Sequence, residues 1–193
     1  RYVKLRRNLK IGIVYWRCLV TTKILGVDAS TNSIAFCLMH DSKPIKWGEI
    51  IFHGSNVYER ILDAKRKVHA IRERLDYDTI CIEAAVSVMS VATGLKMAYM
   101  FGTIMGELMY DDTKVVEVHP LKWQGFINNP NFTKSEKESV KKEFPGKTES
   151  WYKTKVRELR KQRTIDFAKT LGIDTDNDNV ADSVGIAWWG SNE

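Results

Sequence analysis

The residues best placed to do chemistry are carboxylates that stand where apolar runs stop. Asp28 closes the run Ile24-Leu25-Gly26-Val27, and Glu83 follows Ile80-Cys81-Ile82. If both runs are strands of one sheet, both acids lie at its carboxyl edge, where open α/β sheets bind ligands. A carboxylate there is costly to desolvate unless a cation or a hydrogen-bond donor answers it. Taken singly, either acid serves equally well as a loop cap. A third group shifts that balance. Asp178-Asn179-Val180-Ala181-Asp182 opens an apolar helix, and spacings of three and four residues put Asn179 and Asp178 on the face of Asp182. Acids in a first helical turn also suit the helix dipole with no further role. Asp174-x-Asp176-x-Asp178 begins like a calcium-binding loop, but its sixth position is Asn179 rather than Gly and its twelfth is Gly185 rather than Glu, which excludes that reading.

Such residues need a scaffold that brings them together, and alternating patterns from Lys23 onward supply one. Apolar runs predict strands over 24–27, 34–39, 45–52, 79–82 and 115–118, the first three forming a meander. Val57, Ile61, Leu62, Ala64, Val68 and Ile71 recur at helical spacing and predict a helix within 55–75. Further helices are expected over 88–109, near 121–127, up to Leu171, and over 179–189, with 128–150 read as a polar, basic connection. This order predicts an α/β fold, a mixed five-stranded sheet covered by helices.

A chain of 193 residues with 44% hydrophobic side chains can bury a sizeable core without staples. One domain over 23–193 is expected, preceded by a basic arm, 1–22, that is appended or poorly ordered. Cys18, Cys37 and Cys81 are an odd count with no C-x-x-C pair, which points to a reducing compartment, the cytoplasm by default, and to no zinc site. The formal charge of +6 is unevenly spread. Residues 1–20 hold Arg1, Lys4, Arg6, Arg7, Lys10 and Arg17 and no acid, while the other 173 residues balance 24 basic against 24 acidic side chains. Within them Lys134 to Lys169 holds twelve Lys or Arg against six Asp or Glu, as a basic binding surface beside an acidic site would. In the arm, Arg17 interrupts the apolar residues and no small-residue cleavage site follows, so secretion is not expected, although an Arg-rich organelle presequence remains an option. The apolar run is too short to span a membrane.

Asp on the first strand, Glu on the fourth and an acidic pair on the last helix, in this element order, resemble the RuvC-type Holliday junction resolvases of the RNase H-like superfamily, the phage members most closely. The resemblance runs from about Lys23 to Trp189: Ile24-Leu25-Gly26-Val27-Asp28 matches the first motif, Ile82-Glu83 the second, and Ala181-Asp182-Ser183-Val184-Gly185-Ile186-Ala187 the last. Gly94-Leu95-Lys96-Met97 with Gly102 looks like the helix that in this family borders the active site and the dimer interface. Two departures stand out. The family carries Asp or His three residues before the last Asp, where this chain has Asn179, with Asp178 one step earlier. The aromatic expected shortly after the Glu motif is absent from 84–88.

Several carboxylates around one cleft repel each other and repel DNA, and hard oxygen ligands suit magnesium or manganese. Two such ions can activate water and stabilise the leaving oxygen of an in-line phosphodiester cut. The resemblance implies Asp28 as the bridging ligand, Glu83 and Asp182 holding one ion each, with Asp178 and Asn179 as the further candidates. It implies branched DNA, four-way junctions foremost, as substrate, and a homodimer that makes paired cuts. Lys96, Lys153, Lys155, Arg157, Arg160, Lys161 and Arg163 are the candidate phosphate contacts, against the alternative of a merely solvated charged face. His119, Trp151, Tyr152 and the pair Trp188-Trp189 read more readily as structural. Ser87 and Ser90 lack the partners of a serine hydrolase. Gly26-Val27-Asp28-Ala29-Ser30-Thr31-Asn32-Ser33 also resembles the first phosphate loop of actin-like and sugar-kinase-like ATPases, whose second lobe and second Gly-rich loop have no counterpart here. A catalytically inactive DNA-binding module is the third reading, which Asn179 keeps open.

Overall fold

The computed structural model describes residues 22–84 and 90–193. Residues 1–21 of the arm, with Cys18, and also Ser87 and the start expected for the helix at Val88, lie outside them. Among the described residues the order is β1 (Lys23–Ala29), β2 (Ser33–His40), β3 (Lys43–Ile51), α1 (Val57–Arg72), β4 (Thr79–Glu83), α2 (Val91–Leu108), β5 (Lys114–Val118), α3 (Pro120–Phe126), α4 (Lys134–Glu143), α5 (Glu149–Thr170) and α6 (Asp178–Asn192). The five strands form one mixed sheet in the order β3-β2-β1-β4-β5. The meander β1-β2-β3 is antiparallel, and β4 and β5 join it parallel to β1 through helical crossovers. This is the α/β architecture that the apolar pattern predicts.

Alternation along β1 divides the core between the two faces of the sheet. Leu25 and Val27 face α1 and α2, packing with Ile80, Ile82, Ala64, Val68, Met100 and Ile104. Ile24, Gly26 and Asp28 share the opposite face, where α6 lies with Val184, Ile186, Ala187 and Trp189 buried. Gly26 makes that docking possible: a β-carbon there would stand 2.4 Å from the Ser183 carbonyl oxygen and 2.5 Å from the Ala187 amide nitrogen. Gly185 does the same for Trp123, whose indole would meet a β-carbon at 2.6 Å. Asp182 is thereby placed on the sheet face that carries Asp28.

One segment differs from its sequence reading. The polar connection expected over 128–150 contains α4, a helix set by its ends rather than by an apolar stripe. Thr133 and Glu136 form a reciprocal capping box, which satisfies amide donors that helix termini leave unpaired. Val140 is the one buried residue of α4 and docks with Phe132 and Tyr152. Among the described residues no helix is long and apolar enough to cross a membrane.

Candidate active site

Asp28 sits near the end of β1 and Glu83 is the last residue of β4, its parallel neighbour. Asp182 reaches the same edge from the second turn of α6. Their charges are felt unevenly, most by Asp182, which senses both Asp28 and Glu83. Burial, then the charges of Glu83 and Glu49, push Asp28 up to about 6, with Lys161 working against them. Burial, then Asp28 and Glu83, push Asp182 up to about 7, again opposed by Lys161 and by a hydrogen bond from Thr164. Glu83 is raised by burial, partly offset by Trp123 and by the nearby His119. Among the described residues no three His, Cys, Asp or Glu side chains are gathered tightly enough to hold one ion as they stand. The three acids share a field without forming a single coordination sphere.

Asp28 and Glu83 line one hollow, and Asp182 lines another. A cleft of about 330 Å³ is lined by Asp28, Glu83 and the α2 residues Gly94, Met97, Phe101 and Gly102. A smaller recess of about 170 Å³ lies beside α5, lined by Asp182, Arg157, Arg160, Lys161, Gln124 and Asn129. Asp182 thus stands among basic side chains of α5.

Asp178 and Asn179 do not turn to one side together. Asp178, the first residue of α6, ion-pairs with Lys161 of α5. Asn179, about 100° further round the helix, donates from Nδ2 to Glu49 Oε1 at 2.8 Å. Asn177, not Asp178, caps the helix, accepting from the Val180 amide.

The basic residues also separate. Lys96 and Lys153 are exposed. Lys155 pairs with Glu158 at 3.3 Å, and Arg163 pairs with Glu136 at 3.0 Å while its guanidinium lies 4.2 Å from the Phe132 ring centroid. Arg163 therefore faces α4, whereas Arg157, Arg160 and Lys161 line the recess. His119 caps α3, accepting through Nδ1 from the Leu121 amide. Trp151 and Tyr152 pack with Phe132, Phe144 and Val140, and Trp189 is buried. These aromatics follow their structural reading.

Trp123 and Glu49 are among the residues at the site that the sequence did not single out. Trp123, fully buried, donates from Nε1 to Glu83 Oε2 at 2.8 Å and so fixes that carboxylate. A buried indole N–H needs a partner, but this one lies 40 residues away along the chain. Glu49 on β3 accepts from Asn177 and Asn179. Burial pushes its carboxyl up, but hydrogen bonds from Asn179, Asn177 and Ser33 outweigh that and hold it below the ordinary range.

The meander followed by two parallel strands, with α6 laid across β1, defines the RuvC-like RNase H fold. No family model and no curated protein matches the chain by sequence. Among solved structures, Thermus thermophilus RuvC in complex with a Holliday junction substrate superposes with a TM-score of 0.60 at 11% identity, covering 87% of this chain and 91% of that one. The T. thermophilus RuvC structure matches with a TM-score of 0.57 at 11% identity, over 87% and 92% of the two chains. The yeast mitochondrial Holliday junction resolvase is 15% identical over 89% of this chain and 80% of its own, with a TM-score of 0.48.

Proposed function

We propose that the chain is a divalent-metal-dependent endonuclease that cuts branched DNA, with four-way junctions as its substrate. The observation that carries this reading is the group Asp28, Glu83 and Asp182, part-buried at the carboxyl edge of a RuvC-like sheet and bordered by the basic recess. The donor set fits Mg²⁺ or Mn²⁺: the oxygens are hard and anionic, and a cation among them would offset the burial and the like charges that raise Asp28 and Asp182. Asp28, Glu83 and Asp182 would hold the ions, Asn179 would offer a neutral oxygen, and Asp178 would stand behind with its charge answered by Lys161. Bound as a pair, such ions supply Lewis acidity to the attacking water and to the leaving oxygen of an in-line cut.

The protein's own groups do the rest. Trp123 holds Glu83 in one orientation. Arg157 and Arg160 present guanidinium donors beside Asp182, where a phosphate approaching the acids needs compensating charge. Lys161 sits between, pairing with Asp178 and lowering both Asp28 and Asp182. Val91, Leu95 and Tyr99 form an exposed apolar stripe on α2, which packs against α1, where Tyr58 and Leu62 are exposed. We assign this face to a homodimer that presents two sites to one junction.

A four-way junction labelled on each strand in turn, incubated with protein over a range of Mg²⁺, tests the reading. Metal-dependent nicks in two opposing strands are expected, with Asp28→Asn binding the junction but leaving it whole. An intact junction in the presence of folded, metal-supplied protein would overturn the nuclease assignment. Nucleotide hydrolysis without DNA would favour an ATPase.

A further inference from the structure

The register of the meander places Asp28 opposite Ala35, and Ala35 opposite Glu49. Directly opposed residues point to the same face of a sheet, so Asp28, Ala35 and Glu49 form one row across β1, β2 and β3, beneath the first turn of α6. Alanine between the two acids leaves the row open. Glu49 is also held from above: its Oε2 accepts from Asn177 Nδ2 at 2.7 Å and its Oε1 from Asn179 Nδ2 at 2.8 Å. An ionised carboxylate can only accept. The Asn179 amide is therefore fixed with its nitrogen toward β3, and Oδ1 is the atom it offers elsewhere.

We propose that Glu49 is a positioning residue of the candidate site, orienting Asn179 and supplying from β3 the negative charge that α6 lacks at position 179. This rests on the nuclease reading given above. Between them Glu49 and Asn179 present one carboxylate and one amide, joined by one hydrogen bond. Asn179 is then the matching half of a pair rather than a defect. An Asp at 179 would face Glu49 across 2.8 Å with two acceptors and no proton between them, so Asn179→Asp alone should harm the site.

The pairing makes a charge swap the decisive experiment. Full-length wild type, Glu49→Gln, Asn179→Asp, the double variant Glu49→Gln/Asn179→Asp, and Asn177→Ala would each be titrated with Mn²⁺ by calorimetry without DNA. Nicking against Mg²⁺ concentration and thermal unfolding in chelator would be followed alongside. Glu49→Gln and Asn179→Asp should each weaken Mn²⁺ binding about tenfold or more, the scale on which groups that orient a ligand act. The double variant should return to within about threefold of wild type, because it again holds one carboxylate and one amide. Asn177→Ala loses a cap and one hydrogen bond to Glu49 but leaves the Asn179 contact, so its melting temperature should fall while its Mn²⁺ affinity stays near wild type. Glu49→Gln with wild-type affinity, or a double variant no better than the singles, overturns the proposal. So does Asn177→Ala losing as much affinity as Glu49→Gln, since Glu49 would then merely anchor α6 to β3. A wild-type protein that binds no Mn²⁺ and cuts nothing would instead remove the nuclease reading, and the role of Glu49 with it.

Discussion

Replacing Asp28 by Asn should make the metal-free protein more stable, and the size of the effect follows from the burial of Asp28 and the charges of its acidic neighbours. Burial and the charges of Glu83 and Glu49 push Asp28 up to about 6 from an ordinary 3.8. Between those two values the native chain binds more protons than the unfolded one, so wild-type stability falls as pH rises through that window and levels off above it. Two units at about 1.4 kcal/mol each bound the loss at about 3 kcal/mol. Asp28 is only half-buried at the cleft, and solvent screening reduces the loss to roughly 1 to 2 kcal/mol. Asp28→Asn has no such loss. In urea unfolding at pH 8 with chelator, followed by tryptophan fluorescence, the variant should exceed wild type by that amount. The difference should shrink toward pH 4, where wild-type Asp28 is largely protonated in the native state. Added Mn²⁺ should then stabilise wild type and not the variant. A variant no more stable than wild type at pH 8, or a difference that persists unchanged at pH 4, would refute the claim that burial and neighbouring acids disfavour ionised Asp28.

Trp123→Phe removes the donor to Glu83 and part of a fully buried ring, which should cost about 2 to 4 kcal/mol of stability in the same unfolding assay. Because that donor lowers the Glu83 carboxyl, its loss should also move the acidic limb of the cleavage rate profile to higher pH. Arg157→Gln and Arg160→Gln should each flatten the log–log salt dependence of junction binding by about 0.9, while Arg163→Gln, already engaged with Glu136 and Phe132, should leave the slope unchanged. Leu95→Glu, on the exposed stripe of α2, should yield monomers in analytical ultracentrifugation with an unaltered far-ultraviolet spectrum; a persistent dimer would place the interface elsewhere.

What could be read from the chain followed the range over which each cause acts. Asp28 and Glu83 are visible because an apolar strand and the acid that ends it are adjacent in sequence, and Asp182 because a helical period surrounds it. The strands and α6 are local patterns in the same sense. The helix α4 was missed because one apolar residue, Val140, gives no period, although Thr133-x-x-Glu136 carried the signal of its start. Glu49 shows nothing locally: it stands in a strand between Gly48 and Ile50 like any solvent-facing acid, and only the register through β2 sets it in line with Asp28. The separation of Asp178 from Asn179 likewise depends on partners in α5 and β3. Helical spacing placed both on one face, and which neighbour claims each is a tertiary matter.

Gly26 brings the main chains of β1 and α6 into direct contact. Asp28 lies two residues beyond that contact on the strand, and Asp182 immediately precedes Ser183 on the helix, so their spacing passes through backbone atoms. The backbone positions that carry the two side chains are thereby held like a single casting. Arg157, Arg160 and Lys161, by contrast, enter on long side chains from α5. On the proposed nuclease reading a division of labour follows: the closely joined strand and helix would set the ion site, and the compliant arginines and lysine would accommodate nucleic acids of differing shape. On that reading, specificity for the branch would drift by surface substitution on α5 while the ion-binding gauge stays constant.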